Sequence, residues 1–384
     1  MDMPDRVVLW CPVPPAINPG WHAWERGTLA WMEHFGLDGE QREKGRLRSI
    51  TAGELAGRTL PGCTNPAGAL FSAHSLLWLF AFDDAYCDEG RFSHDPSEMA
   101  LLVAQMDRIA ETGWTTSDSP CAQALADLRC RLDELAPPAA IARWVQSMKA
   151  YLGYQVWEAA HRRRHSMPTI DEYAVARIRN GSMEVCAMTL GIAEGYDVPA
   201  HEMENPDVRA LTEMTCCLVG LDNDIASYRK EHARGRDNLN LVDVIAHERR
   251  SAPGEVLPEA VDFRDAVLTA YLRLSEQVRP TVGGATRRYM SGLSAWIRGN
   301  LDWSMHTARY RHHDQATITV ADLPRTAPTA DFAPPTGIAW WWSRLASETA
   351  TAKATVSANA TAPVTAAAGA FRSGPVGSLS APRY

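Results

Sequence analysis

The sequence predicts an all-α protein, a single-domain helical bundle whose functional site lies in the core of the bundle. Two observations support this prediction. From Trp24 to about His313, apolar residues recur at three- and four-residue spacing, which is the period of an amphipathic helix. Proline, glycine, aspartate and serine separate these segments, as they do at helix boundaries. No convincing run of strands and no internal repeat is evident.

Nine helical segments are expected along the chain. In order, they are residues 25–36, 67–89, 97–111, 121–134, 139–164, 170–194, 206–233, 256–280 and 284–313. Their junctions contain Pro61-Gly62, Ser117 to Pro120, Pro137-Pro138, Pro168, Asn205-Pro206, Pro253-Gly254 and Gly283-Gly284. The helical domain that these segments build is expected to span residues 21–316.

Two flanking segments differ from this domain in composition. Residues 1–20 are rich in proline and are expected to form an extended N-terminal arm. Residues 317–384 are rich in Ala, Thr, Ser and Pro, and their final part is of low complexity, which predicts a disordered tail. Within that tail, Trp340 to Trp342 form an aromatic island, for which docking on the domain and poor order are both open interpretations.

Composition and charge exclude several classes of protein. The 384 residues are 46% hydrophobic and 22% charged, as in an ordinary globular protein. The net charge of −8 argues against nucleic acid as a partner. The basic run from His161 to His165 is interpreted as a C-terminal helix turn whose cations face the helix dipole, with a phosphate-binding patch as the alternative. No apolar stretch of about 18 residues and no export signal is evident, so we expect no membrane span and a cytoplasmic location. The eight cysteines, none in a CxxC pair, are expected to be free thiols.

An acidic cluster ends the second predicted helix. The apolar run LLWLFAF leads directly into Asp83, Asp84, Asp88 and Glu89. Asp84 and Asp88 are four residues apart and share a helix face, while Asp83 lies about 100° around the helix from Asp84. Unpaired carboxylates are costly to bury, and acids near a helix C-terminus oppose its dipole. A divalent cation such as Mg²⁺ would compensate them; a solvated helix end is the alternative interpretation.

A stripe of oxygen-bearing side chains lies on the predicted helix 206–233. Asn223, Ser227 and Glu231 follow one another at four-residue spacing, so they drift by only about 80° around the helix. Their amide, hydroxyl and carboxylate oxygens suit a hard cation, and Lys230 could reach a phosphate as a point charge. The alternative is an ordinary polar helix face. If the stripe faced the acidic cluster, the two would enclose a metal-bridged diphosphate above an apolar pocket.

Both motifs resemble those of microbial class I terpene synthases. The segment from Asp83 to Asp88 (DDAYCD) resembles the aspartate-rich motif of this family. The segment from Asn223 to Glu231 (NDIASYRKE) resembles its second metal motif, the Asn/Ser/Glu triad, which is the specific part of the resemblance.

The resemblance extends over roughly residues 8–313. Arg177, 46 positions before Asn223, lies where the family has its diphosphate-sensing arginine. Asn180 and Gly181 match the linker and effector positions of a helix break, although the linker residue is often aspartate. The segment from Asn300 to Trp303 (NLDW), followed by Arg309-Tyr310, resembles the late helix with its Arg-Tyr pair.

The resemblance implies a reaction and a role for each residue. Three Mg²⁺ ions would bind a linear prenyl diphosphate, which ionises to an allylic carbocation that cyclises to a sesquiterpene or diterpene. The implied metal ligands are Asp83, Asp84, Asp88, Asn223, Ser227 and Glu231. The implied diphosphate contacts are Arg177, Lys230, Arg309 and Tyr310. Arg177, on the helix broken near Asn180 and Gly181, would couple diphosphate binding to closure of the site, since glycine tolerates the backbone change. The aromatic residues Phe80, Phe82, Trp296 and Trp303 are candidates to stabilise the cation.

Substrate length and rival functions are left open by the sequence. The C15 farnesyl chain is slightly favoured over the C20 geranylgeranyl chain, and a C10 chain is favoured less than either. A prenyl chain-elongating transferase is one rival, although its second metal site would be rich in aspartate. A metal-dependent phosphohydrolase using His94-Asp95 or His312-His313-Asp314 is another, and a non-catalytic interaction protein a third. A homodimer is compatible with the sequence.

Overall fold

A computed structural model describes residues 6–39, 45–87, 90–234, 239–310, 317–323 and 332–345. Within these ranges, the side chains of residues 230, 232–234, 310 and 317 are not described. These residues belong to one compact unit that extends to Leu345. The structure is mostly helical, which confirms the predicted fold class.

All nine predicted segments are helical over most of their described residues, while residues 88–89 and 311–313 lie outside the described ranges. Segment 170–194 is divided at Gly181 and Ser182, and segment 284–313 at Thr307. The α-helices are α1 (Trp21–Phe35), α2 (Ala52–Thr59), α3 (Pro66–Phe82), α4 (Pro96–Thr112), α5 (Pro120–Leu135), α6 (Pro138–Arg164), α7 (Ile170–Asn180), α8 (Met183–Glu194), α9 (Ala200–Met203), α10 (Pro206–Arg234), α11 (Leu241–Arg249), α12 (Pro253–Val278), α13 (Gly284–His306) and α14 (Trp340–Ser343). A π-helix (Asp83–Cys87) continues α3, and short 3₁₀ helices cover Arg48–Ile50, Phe92–His94, Arg279–Thr281 and Ala308–Tyr310. Two strands, β1 (Arg6–Trp10) and β2 (Thr317–Ala321), complete the described elements.

The helix starts follow from local sequence. Proline occupies the first turn of α3, α4, α5, α6 and α12, where its missing N–H would have no helical partner in any case. Asp95 caps α4 by accepting hydrogen bonds from the backbone N–H groups of Ser97 (2.9 Å) and Glu98 (3.2 Å). Because this carboxylate serves as a cap beside an exposed His94, the pair has a structural role and gives no support to a phosphohydrolase site.

Helix α3 is the central helix of the bundle. It buries 13 of its 17 residues, and it contacts α1, α2, α5 and α8. A helix that is apolar on all sides belongs inside a core rather than at a surface. Its C-terminal end, which leads into the acidic cluster, is therefore held inside the bundle from several directions.

The two strands form a parallel pair that the sequence analysis did not predict. Their register aligns Arg6 with Thr317 and Trp10 with Ala321. Each strand has only five residues, too few to form a recognisable pattern alone, and the two strands are far apart in the sequence. The N-terminal arm therefore packs on the domain, burying Val7, Leu9 and Cys11.

A second segment of the predicted tail also packs on the domain. In residues 332–345, Ile338 and Trp341 are fully buried, and Phe332 stacks on Phe263 at 5.7 Å between ring centroids. The boundaries at residues 20 and 316 stay predictions, but the structure differs from the expected disordered tail at β2 and at this segment. Of the two interpretations of the tryptophan island, the structure favours docking.

The other whole-chain expectations concern the membrane and the cysteines. No helix among the described residues has the length and apolar character needed to span a bilayer. All eight cysteines lie in the described ranges, none forms a disulfide, and all but Cys130 are buried.

Candidate active site

A cavity of about 410 Å³ lies within the bundle, between α2, α3, α6, α7, α8, α10 and α13. Leucine, methionine, valine and tryptophan side chains form its apolar wall: Leu55, Leu76, Leu79, Met183, Val219 and Trp296. Charged and amide side chains form its polar wall: Asp83, Arg177, Asn223, Glu231, Asn300 and Arg309. The cavity thus combines an apolar surface with charged groups of both signs, the composition expected of a site for an amphiphilic anion.

The aspartate cluster lies on a π-helical turn rather than on a continuous α-helix. Residues Asp83–Cys87 form this turn, and Asp83 lines the cavity. Turns of this kind are rare and occur often at functional sites. The α-helix was expected to continue to residue 89, but α3 ends at Phe82. The argument that Asp84 and Asp88 share a face assumed α-helical geometry, so it does not apply to this turn. Asp88 itself lies outside the described residues.

The Asp84 carboxylate is paired with two arginines. Arg309 donates two hydrogen bonds to it, at 3.0 and 2.9 Å, and Arg46 forms an ion pair with it at 2.6 Å. The guanidinium of Arg309 lies 3.9 Å from Asp83. Asp84 is absent from the cavity lining, so in this state it holds the predicted diphosphate-binding Arg309 next to the acidic cluster.

The Asn/Ser/Glu stripe lies on α10, with Asn223 and Glu231 at the cavity. Glu231 accepts a hydrogen bond from Asn240 Nδ2 (2.9 Å), and Asn240 is the N-cap of α11. Ser227 is buried, and its Oγ donates to the backbone carbonyl of Asn223 at 2.7 Å. The structure therefore brings Asn223 and Glu231 to the cavity surface, whereas Ser227 is not among the residues that line it.

Arg177 connects α7 to the stripe. Its guanidinium donates to Asn223 Oδ1 (3.2 Å) and to the Gly220 carbonyl (3.1 Å), and it pairs with Asp224 at 2.8 Å. Burial, the largest single influence, lowers the pKa of Arg177, but Asp224, Tyr173, Glu158 and Glu231 together outweigh it, and the pKa is raised. Arg177 is therefore a permanent cation in the cavity wall. Its Nε is buried without a hydrogen-bond partner, so it has donor capacity left.

Asp224 was not singled out by the sequence analysis. Besides Arg177, it accepts hydrogen bonds from the Tyr173 hydroxyl (2.7 Å) and the Leu241 N–H (3.3 Å). Burial raises the pKa of Asp224, and these partners oppose that effect. Its position directly after Asn223 was the only available signal, since its role depends on Tyr173, 51 residues away.

The predicted helix break is present between α7 and α8. Asn180 ends α7, and Gly181 and Ser182 separate it from α8. The left-handed conformation falls on Ser182 (φ 58°), while Gly181 has an ordinary φ of −81°. Glycine at position 181 instead leaves room for the Arg177 guanidinium, because a Cβ there would lie 3.3 Å from Arg177 Nη1.

Glu158 and Arg162 on α6 are further cavity residues that sequence reasoning missed. Arg162 pairs with Glu158 at 2.9 Å and donates to the Cys87 carbonyl at 2.9 Å. Glu158 in turn accepts a hydrogen bond from Asn180 Nδ2 (2.8 Å). This chain of contacts joins the π-helical turn to the helix break. His161 to Arg164 form the last turn of α6, as expected from the sequence, and Arg162 in addition lines the cavity.

Aromatic rings line part of the cavity. Phe80, Trp296 and Trp303 all face it, with Phe80 and Trp303 at 5.7 Å between ring centroids. The Arg309 guanidinium lies 4.8 Å from the Phe80 ring centroid. Phe82 is the exception among the predicted aromatic residues. Its ring is buried against Trp78 and Tyr151, outside the cavity lining, because it points to the opposite side of α3.

The donor set suits a hard cation and an anion. Asp83, Asn223 and Glu231 offer the oxygen ligands that Mg²⁺ takes in proteins. In the described ranges, no three Asp, Glu, His or Cys side chains converge closely enough to hold an ion by themselves. The Nδ2 atom of Asn300, buried at the cavity without a partner, is a further donor available to an anion. The side chains of Lys230 and Tyr310 lie outside the description.

Known proteins with similar sequences are terpene cyclases. Residues 74–268 match the family described as "Terpene synthase family 2, C-terminal metal binding". The chain is 35% identical to (+)-(1(10)E,4E,6S,7R)-germacradien-6-ol synthase of Streptomyces pratensis over 343 residues, which cover 88% of this chain and 96% of that protein. It is also 35% identical to (+)-T-muurolol synthase ((2E,6E)-farnesyl diphosphate cyclizing) of Streptomyces clavuligerus, with coverage of 88% and 82%.

A more distant relative is also a synthase, and a solved structure has a similar fold. Spiroviolene synthase of Streptomyces violens is 29% identical, with coverage of 88% and 96%. The fold matches the crystal structure of a tryptophan-to-tyrosine variant of the SVS_A2 protein, obtained by ancestral sequence reconstruction. That match has a TM-score of 0.80 and 30% identity, and it covers 90% of this chain and 100% of the other.

Proposed function

The chain belongs to terpene synthase family 2 and is a class I terpene cyclase acting on a prenyl diphosphate, and from this premise we propose its ligands, ion and substrate. The observation that carries the proposal is that Asp83, Asn223, Glu231, Arg177 and Arg309 all line one cavity. The chain-elongating and phosphohydrolase alternatives are set aside with this family membership.

The metal centre in this proposal takes Mg²⁺. Asp83 from the π-helical turn and Asn223 and Glu231 from α10 are its ligands, with Ser227, Asp84 and Asp88 as the further members that the family resemblance implies. Three ions are expected by the same resemblance. When bound, they neutralise the diphosphate and act as Lewis acids on its oxygens. Oxygen donors from a carboxylate, an amide and a second carboxylate support this choice of a hard cation.

The diphosphate is bound by the cations of the cavity wall. Arg177 and Arg309 are the proposed donors, with Lys230 and Tyr310 completing the set. Charge-assisted hydrogen bonds of this kind strengthen as negative charge develops on the leaving group, which favours heterolysis of the C–O bond. Both electrons of that bond leave with the diphosphate, and the prenyl chain becomes an allylic cation.

The apolar wall then contains the cation. Phe80, Trp296 and Trp303 present aromatic faces, each of which can stabilise a nearby cation by about 0.5–2 kcal/mol. The leucine and methionine side chains around them keep water from the reactive carbons until ring closure. Phe82 is excluded from this role because its ring lies in the core.

We further propose farnesyl diphosphate as the substrate. Relatives in this family make both sesquiterpenes and diterpenes. The T-muurolol synthase, at 35% identity, is named for cyclising (2E,6E)-farnesyl diphosphate, whereas spiroviolene synthase is 29% identical. Incubating the protein with Mg²⁺ and, separately, C10, C15 and C20 diphosphates tests this by gas chromatography–mass spectrometry. Cyclic products from the C20 chain alone would overturn the assignment.

The metal assignment is tested by Asp83→Ala and Asn223→Ala. Each removes a proposed ligand, so turnover of prenyl diphosphate should fall below detection while the circular dichroism spectrum stays helical. Asp118→Ala is the matched control, since this aspartate is exposed and outside the cavity. Calorimetry of Mg²⁺-dependent binding of inorganic diphosphate should show weakened binding in the two cavity variants only. Full turnover in either would remove that residue from the metal site.

A further inference from the structure

Residues 332–345, which follow the catalytic helices, lie against the helix that carries Arg177. We propose that this segment, here called the C-terminal clamp, is a positioning element that holds α7 so that Arg177 faces the cavity. The inference rests on the proposed role of Arg177 as a diphosphate ligand. Three sets of contacts support it, and all of them involve described residues.

The first contact is at the start of α7. The Thr336 backbone N–H donates to Asp171 Oδ1 at 2.7 Å, and the Thr336 hydroxyl donates to Asp171 Oδ2 at 3.2 Å. One carboxylate of the first helical turn is therefore bound twice by one residue of the clamp. This arrangement fixes the N-terminal end of α7 both along and across its axis.

The second contact is one turn further along. Gly337 packs on Val175 so closely that a Cβ built at Gly337 would overlap Val175 Cγ2. A side chain at position 337 would fit only if the Val175 side chain, the clamp or α7 shifted. The glycine thus brings the backbone of the clamp directly onto the side chain of α7.

The third contact reaches the last turn of α7 through α10. The Trp341 indole N–H donates to Glu213 Oε2 at 3.1 Å, and the other oxygen of Glu213 lies 3.7 Å from an Arg179 guanidinium nitrogen. Trp341 is fully buried, so this hydrogen bond is sheltered from water. Arg344 adds an ion pair with Asp207 of α10 at 2.6 Å.

These three contacts follow a single face of α7. Asp171, Val175 and Arg179 are spaced by four residues, whereas Arg177 lies about 200° around the helix from Val175. The clamp therefore presses on one side of α7 while Arg177 extends from the other side into the cavity. Rotation or translation of α7 would break contacts at both of its ends, so the clamp sets the position of Arg177 relative to Asn223 and Asp224.

A double-mutant cycle at the second contact tests the clamp. Gly337→Ala should displace α7 and lower kcat/KM for farnesyl diphosphate about tenfold, because Arg177 would no longer be held in position for the diphosphate. Val175→Ala alone should stay within about twofold of wild type, and the double variant should regain most of the lost activity because it restores space. Gly153→Ala on α6 is the matched control, since a Cβ there meets no atom within 4 Å.

A positioning role predicts effects that a merely stabilising contact would not produce. Gly337→Ala and Trp341→Phe should raise the share of linear or water-quenched alcohols among the products. They should also reduce the protection from hydrogen exchange that Mg²⁺ and inorganic diphosphate give to residues 173–180. If both variants lower the melting temperature but leave kcat/KM, product ratios and exchange unchanged, the clamp is only a structural support and the proposal is wrong.

The test separates this inference from the proposed role of Arg177. Arg177→Ala should lose turnover whatever the clamp does. If Arg177→Ala keeps full turnover, the diphosphate role fails. If Arg177→Ala is inactive while the Gly337→Ala and Trp341→Phe variants behave as wild type, the clamp alone fails.

Discussion

Arg177 enters the cavity wall because a neighbouring helix lacks a side chain at one position. On α10, a Cβ at Gly220 would lie 2.8 Å from Arg177 Cγ and 2.9 Å from its Nε. Arg177 therefore crosses α10 in space that only glycine leaves free, and it reaches Asn223 and Asp224 one turn further on. The absence of a side chain at Gly220 therefore determines where the Arg177 guanidinium lies.

We predict that Gly220→Ala removes most activity without unfolding the protein. The methyl group should push the Arg177 side chain away from Asn223, lowering kcat/KM at least tenfold, while alanine favours the helix more than glycine does. Steady-state kinetics and thermal melting measure the two effects. Wild-type kcat/KM in the Gly220→Ala protein would contradict this account.

Among single residues of the site, the sequence predicted those that keep a fixed spacing along the chain. It missed those whose role depends on partners far away in the sequence. Asn223, Glu231 and Arg177 follow from intervals along the chain and from family resemblance, and the structure brings all three to the cavity. Asp84 was expected among the metal ligands, yet it contacts Arg46 and Arg309. No local pattern could indicate that pairing, because the three residues come from three separate elements.

Close helix packing positions the aromatic wall of the cavity. Helix α13 carries Trp296, Asn300 and Trp303, and it packs on α2 at Gly299, where a Cβ would lie 2.9 Å from the Arg58 carbonyl group. The Trp303 indole N–H also donates to the Ile50 carbonyl at 2.6 Å, just before α2. The shape of the cavity thus depends on the distance between these two helices.

Gly299→Ala should therefore change products as well as stability. Moving α13 away from α2 displaces the aromatic residues, and overpacking of this kind costs about 1–3 kcal/mol of the free energy of unfolding. Urea denaturation measures the stability, and gas chromatography–mass spectrometry measures the product ratios. Gly153→Ala, at an open helix position, should alter neither. An unchanged product profile in a destabilised Gly299→Ala protein would show that α13 does not shape the cavity.

Long helices could be predicted from periodicity, whereas breaks and short elements could not. Residues 170–194 carry one continuous apolar pattern, yet they form α7 and α8, and only the family resemblance indicated the break near Gly181. Helix α2 has eight residues, too few for a reliable period, and β1 and β2 have five each. Their stability comes from tertiary contacts that a local pattern does not contain.

Across the whole molecule, a buried ion pair connects the N-terminal strand to α10, the helix that carries the Asn/Ser/Glu stripe. The Arg264 side chain of α12 is completely buried, and its Nε donates to Asp222 Oδ1 at 2.7 Å. Another of its nitrogens donates to the Trp10 carbonyl at the end of β1. Asp222 immediately precedes Asn223, so the start of the chain is tied to the stripe by a single guanidinium group.

Arg264→Met should be strongly destabilising. It leaves the Asp222 carboxylate buried without its partner, for which the typical cost is about 3–5 kcal/mol of the free energy of unfolding. Urea denaturation should show this loss, with exposed Arg273→Met as the control. Adding Asp222→Leu should recover part of the stability, because a paired apolar replacement removes the uncompensated charge. Equal stability of Arg264→Met and the wild type would contradict this role of the pair.

Because β1 pairs with β2, β1 has no partner strand until the ribosome has made β2. Arg6 and its partner Thr317 are 311 positions apart. At a translation rate of about 5–20 residues per second, the ribosome needs roughly 15–60 s between making the two strands. During that interval β1 is an unpaired edge with valine and leucine exposed, a state that favours pairing with other chains. We therefore expect the risk that β1 pairs with another chain to last until residues 317–321 have left the ribosome.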